Sequence, residues 1–167
     1  AAADLKAQPS RPTAPAAVDY WTGFYIGAQG GYAWAESGSY KTNDWLAGGH
    51  LGFNHRLGNS NLVLGIETDL SMTGMPEVAW IGTTRLRAGV LLTPQLLAYL
   101  TGGGGYGRLD DSIGSASFTG WTAGGGVEYA LFKHLKAGLE YRYIDAQMFT
   151  GFTGKAHSVL GRASIGF

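Results

Sequence analysis

Cysteine is absent from this 167-residue sequence, and so is any long apolar run. Without cysteine the chain has no disulfide framework, no thiolate metal site and no cysteine nucleophile. No apolar stretch approaches the roughly 18–20 residues that a transmembrane helix needs. The formal net charge is +0, which gives no indication of nucleic-acid binding through counterion release. The length allows one domain and leaves no room for a separate catalytic module.

Proline is scarce too, and three of the five prolines lie in the first 19 residues. This segment is rich in alanine and polar residues and has no hydrophobic periodicity, so residues 1–19 are predicted to be a disordered tail. The sequence begins Ala1-Ala2-Ala3-Asp4, without a methionine or an apolar core. Such a start is expected after removal of a signal peptide, although a cloned fragment would look the same. The tail is interpreted either as a solvated remnant or as a periplasmic tether.

The sequence does contain a regular alternation of apolar and charged residues. Between residues 135 and 143, Leu135, Ala137, Leu139, Tyr141 and Tyr143 alternate with Lys136, Gly138, Glu140 and Arg142. Since successive side chains of a strand point to opposite faces, one face is apolar and the other is charged. The pattern recurs to Phe167 in segments that suit a tilted membrane crossing. These features predict an all-β fold, an eight-stranded antiparallel transmembrane β-barrel over residues 20–167.

The predicted strands are joined by connections of alternating length. Tight turns are expected at residues 58–60, 93–95 and 132–134, and longer polar loops at residues 36–43, 71–77, 109–117 and 146–155. Because membrane barrels have short periplasmic turns and longer external loops, both termini are expected on the periplasmic side. The facing of the fifth strand is ambiguous because it is dense in glycine. The predicted strands are residues 22–36, 44–56, 61–71, 78–92, 96–108, 118–131, 135–143 and 157–167.

Aromatic residues lie near the ends of the predicted strands, as interfacial belts do. This placement and the length of the segments favour a membrane barrel over a soluble β-sandwich, whose strands also alternate but usually have five or six residues. Almost no charge falls on the apolar face, which also favours the barrel. The predicted girdle consists of Trp34, Trp45, Trp80 and Tyr143 at one rim, and of Trp21, Phe53, Tyr129 and Phe167 at the other.

The charged face points into the barrel. An eight-stranded barrel is only wide enough for its own side chains to fill, so charges inside it must pair, because an isolated buried ion is very costly. The sequence therefore predicts a salt-bridge network that plugs the lumen, and a narrow ion or proton path along the same charges is the alternative. The predicted network contains Glu67, Asp69, Arg85, Arg87, Glu128, Glu140, Arg142 and Arg162, with Lys136 nearer one end.

No catalytic residue, metal site or cofactor is predicted. The glycine runs at residues 102–105 and 124–126 lack the lysine and hydroxyl residue of a phosphate loop, and are interpreted as barrel glycines packed beneath aromatic rings. His50 and His55 are five residues apart and therefore face opposite sides of a strand. His157 and Ser158 are adjacent and diverge in the same way, which argues against an acyl-transfer pair. Haem capture by an external histidine is a minor alternative.

Several motifs, in this order, resemble the small alphaproteobacterial outer-membrane β-barrel proteins that are labelled porin-family or outer-membrane immunogenic proteins. The resemblance covers almost everything after residue 20. Its motifs are WTGFYIG at residues 21–27, LGIETD at 64–69, TGG at 101–103, GWTAGGGVEY at 120–129, EYRYID at 140–145 and the terminal Phe167.

The resemblance implies an eight-stranded barrel in the outer membrane of a Gram-negative bacterium. Family members are mostly abundant, non-enzymatic surface antigens that support envelope integrity. The implied surroundings are outer-membrane lipid and lipopolysaccharide. The alternating residues from Val159 to Phe167 are similar to the signal that the barrel-assembly machinery reads. A small pore or transport protein, or a surface binder of haem or host molecules, is the alternative function.

Some relatives are covalently joined to peptidoglycan through an N-terminal Ala-Asp. Ala3 and Asp4 would serve here if signal cleavage falls before Ala3, although the extra alanines do not match that pattern. The porin label fits the chain less well, since a filled lumen is not expected to conduct.

Overall fold

The computed structural model describes residues 19–37, 40–74, 78–111, 114–148 and 153–167. Over these residues eight antiparallel strands close into one barrel in sequence order, and β8 pairs with β1. The same residues include no helix that is long and apolar enough to cross a membrane. The strands are β1 (Gly23–Ser37), β2 (Tyr40–Arg56), β3 (Leu62–Thr73), β4 (Val78–Thr93), β5 (Leu96–Asp111), β6 (Gly114–Ala130), β7 (Leu135–Met148) and β8 (Thr153–Gly166). The predicted fold class is confirmed.

The strands are staggered around the barrel. A row of paired residues that starts at Tyr25 crosses all the strands and returns to β1 at Ala35, ten residues further along. A stagger of this size in a closed sheet requires the strands to tilt by about 40° from the barrel axis. This is the tilt of strands in membrane-spanning barrels.

Side-chain burial alternates along the strands as predicted for all of them except β5, whose facing was ambiguous. In β4, Arg85 and Arg87 are 1% and 4% exposed, while Leu86 between them is 68% exposed. In β5 the inward side chains are Leu97, Tyr99 and Thr101, all of them buried. Two of these three are apolar or aromatic, so charge does not mark the inner face of this strand.

The barrel has two different ends. One end, called here the terminal end, carries Asp19–Thr22, Phe167 and the three tight turns. The opposite end, called the loop end, carries the four other hairpins. The lumen contains a buried apolar layer towards each end. Trp21, Val63, Leu91, Leu97, Tyr99 and Ala130 form the layer at the terminal end. Ala33, Leu46 and Leu160 form the layer towards the loop end.

The hairpins of the loop end differ from the predicted long loops. Backbone pairing continues to Ser37 and Tyr40 in the first hairpin, and to Asp111 and Gly114 in the third. The predicted loops at residues 36–43, 71–77, 109–117 and 146–155 are therefore too long, because much of each is paired strand. The physical reason is that hydrophobic alternation stops where lipid stops, whereas backbone hydrogen bonding continues. Polar cross-strand pairs such as Glu36 with Lys41, 2.8 Å apart, support the extension.

The predicted girdle needs one correction. Trp21 is 1% exposed and lies inside the lumen, so it does not belong to the outer surface. Its indole Nε1 donates to the Pro94 carbonyl 3.0 Å away, which shows why this residue turns inward. The other seven girdle residues lie on outward-facing positions, with Trp45 51% and Phe167 77% exposed. Their girdle role stays a prediction.

Rings on the outer surface mark two levels. Phe24 and Phe53 pack at a centroid distance of 4.9 Å near the terminal end, and Trp34 stacks on His157 at 5.9 Å near the loop end. Phe24 and Trp34 are ten residues apart on β1. With about 3.3 Å per residue and a tilt of about 40°, the two levels are about 25 Å apart along the axis. This is the height of the apolar band of a membrane barrel.

Candidate functional site

Glu67 lies at the centre of the lumen. Three arginines donate to its carboxylate: Arg85 Nη2 is 2.7 Å from Oε1, Arg87 Nη1 is 3.0 Å from Oε2, and Arg162 Nη2 is 2.5 Å from Oε2. The Tyr25 hydroxyl donates to Oε2 across 2.7 Å. Since the Glu67 side chain is fully buried and both oxygens are engaged, this carboxylate is not available as a general base.

Glu140 is a second centre with the same construction. Arg85 Nη1 lies 2.6 Å and Arg142 Nη2 lies 2.9 Å from its Oε1. Arg162 Nη1 and the Tyr99 hydroxyl donate to its Oε2, the latter across 2.9 Å. Arg85 and Arg162 each contact both central carboxylates, so the two centres form one connected network.

The other two lumen carboxylates extend the network in opposite directions along the axis. Asp69 accepts from Arg142 Nη1 at 3.0 Å and from Arg85 Nη2 at 3.1 Å. Glu128 accepts from Arg87 Nη2 at 2.9 Å. All eight charged residues that the sequence assigned to the lumen thus lie in one network, with four acids and four arginines. An isolated buried charge is avoided by this balance.

Glycine makes room for these side chains. Gly52 and Gly126 lie opposite the two central carboxylates in the strand register. A Cβ atom at Gly52 would lie 2.5 Å from the Tyr25 hydroxyl, and one at Gly126 would lie 2.8 Å from the Tyr99 hydroxyl. Neither position therefore accepts a larger residue without displacing the tyrosine. Gly126 belongs to the second of the two glycine runs, which lie within β5 and β6 rather than in loops.

Lys136 differs from the arginines. Its ammonium lies at the terminal end of the lumen, 5.3 Å from the Trp21 ring centroid and 5.7 Å from that of Tyr25. The residue is 4% exposed, and among residues with described positions no carboxylate lies within 4.0 Å of its Nζ. Its ammonium is therefore in cation–π contact with both rings. The prediction that it lies nearer one end than the rest agrees with this position.

Some buried polar atoms have no hydrogen-bond partner within the described ranges. Most belong to residues of the neighbouring strands β8, β1 and β2, and the others belong to β4 and β6. They are Gln29 Oε1, both ring nitrogens of His50, Asn54 Oδ1, Glu128 Oε1 and the Nε atoms of Arg85, Arg87 and Arg162.

The histidines lie as far apart as their spacing predicts. His50 is buried in the lumen, and His55 is exposed on the opposite face of β2. His157 faces outward and its Nδ1 is 2.6 Å from the Tyr141 hydroxyl, whereas Ser158 is buried inside. Over the described part of the chain, no three histidine, aspartate or glutamate side chains are grouped as metal ligands.

The Trp21 segment is held at the terminal end by Asp19. Its Oδ1 accepts from the backbone N–H groups of Trp21 and Thr22 at 2.9 Å and 3.2 Å. Partial burial raises the pKa of the Asp19 carboxyl, but the Thr22 side-chain bond and these backbone bonds outweigh it and hold the pKa below its usual value. The chain then turns into β1 at Gly23, whose φ of 136° suits glycine alone.

Several network residues escape sequence reasoning. Tyr25 lies within the first predicted strand, but nothing in the sequence marked it as a partner of Glu67. Tyr99 was not assigned to the lumen at all, although its ring lies 4.0 Å from the Arg87 guanidinium. A search for inward tyrosines at the level of paired charges would have found Tyr25, and only the facing of β5 reveals Tyr99. The predicted attachment residues Ala3 and Asp4 lie outside the described residues.

A closed barrel with an apolar outer surface, a charged lumen and strands longer than a membrane crossing defines a transmembrane β-barrel. The family model described as the outer membrane protein beta-barrel domain matches residues 10–165 of this chain. The chain therefore belongs to that outer-membrane protein family. The resemblance to small alphaproteobacterial outer-membrane proteins is confirmed.

Relatives of known name support this assignment. The chain is 34% identical over 188 residues to the 31 kDa outer-membrane immunogenic protein of Brucella melitensis, with 83% of this chain and 77% of the relative covered. It is 34% identical over 155 residues to the 25 kDa outer-membrane immunogenic protein of Brucella abortus, covering 80% and 71%. Among solved structures, Neisserial surface protein A has the same fold, with a TM-score of 0.62, 19% identity and coverage of 87% of this chain and 98% of that one.

Proposed function

We propose that this protein is a structural, non-enzymatic component of the outer membrane that supports envelope integrity and presents the hairpins of its loop end as a surface antigen. The observation that carries the proposal is the filled lumen. Eight paired charges occupy its middle, and an apolar layer lies towards each end. A wall supported from inside in this way resists compression, and over the described residues these side chains occupy the space inside the barrel that a substrate would need.

The filled lumen also argues against a pore. An ion would have to displace buried arginine–carboxylate pairs and then cross a layer of apolar side chains. Both steps cost free energy. In planar lipid bilayers the purified protein is expected to give no stable conductance. Reproducible single-channel steps that change in Arg85→Ala would overturn the structural proposal in favour of the pore.

The envelope role has its own test. A strain that lacks the protein is expected to become more sensitive to detergent and to chelation of divalent cations. Wild-type protein supplied from a plasmid should restore resistance, and so should Lys41→Ala, which alters only an exposed hairpin. Unchanged sensitivity in the deletion strain would contradict the proposal.

In the proposed orientation both termini lie in the periplasm and the loop end faces the outside of the cell. The support is the length of the connections, since the three turns at the terminal end are short and the paired hairpins of the loop end extend beyond the apolar band. On intact cells a membrane-impermeant thiol reagent should label Lys41→Cys at the loop end. It should leave Asn59→Cys, in the turn between β2 and β3, unlabelled. The reverse pattern would invert the orientation.

The proposed partners are outer-membrane lipid, lipopolysaccharide, the barrel-assembly machinery and peptidoglycan. For peptidoglycan the support is geometric, because the described chain leaves the barrel at Asp19 on the terminal end. The 18 residues before it, if extended, would reach about 60 Å. Mass spectrometry of lysozyme-digested envelopes should then find muropeptide on the N-terminal peptide that contains Ala3 and Asp4. Complete absence of such adducts would remove the tether and leave the rest of the proposal standing.

A further inference from the structure

We propose that Arg162 and Glu67 form a lock across the seam between β1 and β8, and that this lock fixes the register at which the barrel closes. The lock belongs to a ring of four buried charges that joins the two halves of the barrel, β1–β4 and β5–β8. It is independent of the function proposed above.

The two halves have the same internal construction. In the first half, Tyr25 on β1 pairs across the sheet with Gly52 on β2, which pairs in turn with Glu67 on β3. The equivalent row on β5, β6 and β7 consists of Tyr99, Gly126 and Glu140. In both rows the glycine follows the tyrosine by 27 residues, and the tyrosine hydroxyl donates to the glutamate of its own row. Each half therefore presents one buried carboxylate to the centre of the lumen.

Each half also supplies one arginine that bridges both carboxylates. Arg85 of the first half donates from Nη2 to Glu67 Oε1 across 2.7 Å and from Nη1 to Glu140 Oε1 across 2.6 Å. Arg162 of the second half donates from Nη2 to Glu67 Oε2 across 2.5 Å and from Nη1 to Glu140 Oε2. The four side chains form a ring in which each carboxylate accepts from one arginine of either half. The ring is thus a joint between the halves.

The register of the seam is not set by a connection, because β1 and β8 are the first and last strands of the barrel. The other seven strand pairs are consecutive in the chain, so their turns and hairpins restrict the pairing. On the lipid side of the seam, Ala28 and Gly30 of β1 lie opposite Ala163 and Gly161 of β8. Strands with such small side chains specify their register weakly. The lumen side must therefore supply the specificity.

The contact of Arg162 with Glu67 selects one register. Arg162 Nη1 lies 3.0 Å from Oε1 and Nη2 lies 2.5 Å from Oε2, which is the two-pronged geometry that arginine forms with a carboxylate. A shift of the seam by one residue would turn every side chain to the other face. A shift by two residues would keep the faces but move Arg162 about 6.6 Å along β1, which is more than a hydrogen bond can span. Fixing a register is a documented use of buried polar groups.

Disulfide cross-linking measures the register of the seam, because the chain has no cysteine of its own. Ala28→Cys with Ala163→Cys reports the native register, and Ala28→Cys with Gly161→Cys or Ile165→Cys reports a shift of two residues in either direction. Opposed strand residues have Cα atoms about 4.5–5.5 Å apart, within reach of a disulfide, whereas diagonal neighbours at about 7–8 Å are at or beyond its limit. With the lumen unchanged, oxidation in detergent should cross-link the native pair about tenfold more than either shifted pair.

Removal of the lock should release the seam. Arg162→Met should raise the shifted cross-links by about fivefold or more, because the register is then left to the small residues of the lipid side. Arg87→Met is the matched control. Arg87 is 4% exposed, as Arg162 is, but its ion pairs run from β4 to Glu67 on β3 and Glu128 on β6 and do not span the seam. Its cross-link pattern should stay that of the unchanged lumen.

Two results would overturn the lock. One is a folded Arg162→Met that keeps the native cross-link pattern, and the other is an equally large shift in Arg87→Met. If Arg162→Met does not reach the heat-modifiable folded form, Arg162→Lys decides in the same way, because lysine keeps the charge but lacks the two-pronged geometry. Should both Arg162 variants stay unfolded, the control decides: a folded Arg87→Met supports the lock, since an unlocked seam can also stay open, and an unfolded one overturns it.

Discussion

The lumen and the lipid-facing wall are made from alternate residues of the same strands, yet they are stabilised by opposite means. On β4, Arg85 and Arg87 lie in the lumen and are bonded to carboxylates of β3, β6 and β7. Leu86 between them is 68% exposed on the outer wall. Inside, stability depends on each donor meeting a particular acceptor. Outside, it depends only on transfer of apolar surface into lipid, which is not directional.

This difference shows how substitutions should act on the two faces. The lumen is sensitive to the loss of any single partner, because the remaining charges stay buried without compensation. The wall is tolerant of changes among apolar residues but sensitive to charge, because lipid cannot solvate an ion. A one-residue shift along a strand thus reverses which substitution is harmful.

The largest effect is expected from Glu67→Ala in the centre of the lumen. The change removes the one carboxylate that Arg85, Arg87 and Arg162 all contact, and removal of one partner from a buried ion pair costs about 3–5 kcal/mol. The loss in the free energy of unfolding is measured by urea titration in lipid vesicles, with gel mobility as the readout of the folded fraction. The control is Ile66→Val on the wall beside it, which removes one methylene and should cost about 0.8 kcal/mol. Equal losses for the two variants would contradict the distinction between the faces.

A somewhat smaller effect is expected from Leu86→Arg on the wall. Arginine occupies positions 85 and 87 in the native strand, but at position 86 it would face the hydrocarbon and should cost about 2–4 kcal/mol near the midplane. The same vesicle unfolding assay applies, and Leu86→Met, which stays apolar, should be close to neutral. If Leu86→Arg unfolded like the wild type, the outer wall would not be lipid-facing.

Much of this arrangement follows from the sequence, because the lumen and the wall differ in polarity at every second residue. Glu67, Asp69, Arg85 and Arg87 were assigned to the lumen because alternation fixed their facing and pairing fixed their neighbourhood. What alternation cannot supply is the partner of each charge. The contacts of Arg162 with β3 and β7 depend on the stagger of the whole barrel, which no single strand encodes.

Two features were predicted wrongly because the polarity of a residue does not by itself fix its place in the barrel. Trp21 is of the residue type that forms aromatic girdles. Its segment, however, precedes β1 and turns into the lumen, where its indole N–H donates to the Pro94 carbonyl. The hairpins of the loop end were predicted as loops because hydrophobic alternation fades there, although Glu36 and Lys41 are still paired strand residues. Periodicity reports contact with lipid, whereas the ladder of hydrogen bonds extends beyond it.

Tryptophan occurs both on the outer wall, as Trp45, and in the lumen, as Trp21. Comparing the two gives a further test with a smaller expected effect. Trp45 on the outer wall is 51% exposed, so Trp45→Ala removes about 100 Å² of lipid contact and should cost about 2 kcal/mol. Brominated lipid should quench a variant that retains only Trp45 and should leave a variant that retains only Trp21 almost unaffected. Quenching of Trp21 to the same extent would place it on the girdle after all, contrary to its burial.

The smallest effect is expected at the boundary between the two regions, where Asp19 holds the Trp21 segment. The pKa of Asp19 in the folded protein lies below its ordinary value of 3.8, because hydrogen bonds from Thr22 and Trp21 favour the carboxylate despite partial burial. A group with a lowered folded pKa contributes stability above 3.8 and loses it as the pH falls through the folded value. Acidification below that range should therefore loosen Trp21 while the barrel stays closed.

Fluorescence of the variant that retains only Trp21 measures this loosening as a red shift at low pH. Asp19→Asn keeps an acceptor oxygen but cannot titrate, so its emission should not change with pH in the same range. Because Asp19 lies at the surface and the strands do not depend on it, heat-modifiable gel mobility should stay unchanged in both proteins. A shift that persists in Asp19→Asn would assign the pH dependence to the lumen charges instead of the boundary, and the separation of the two regions would then fail at this point.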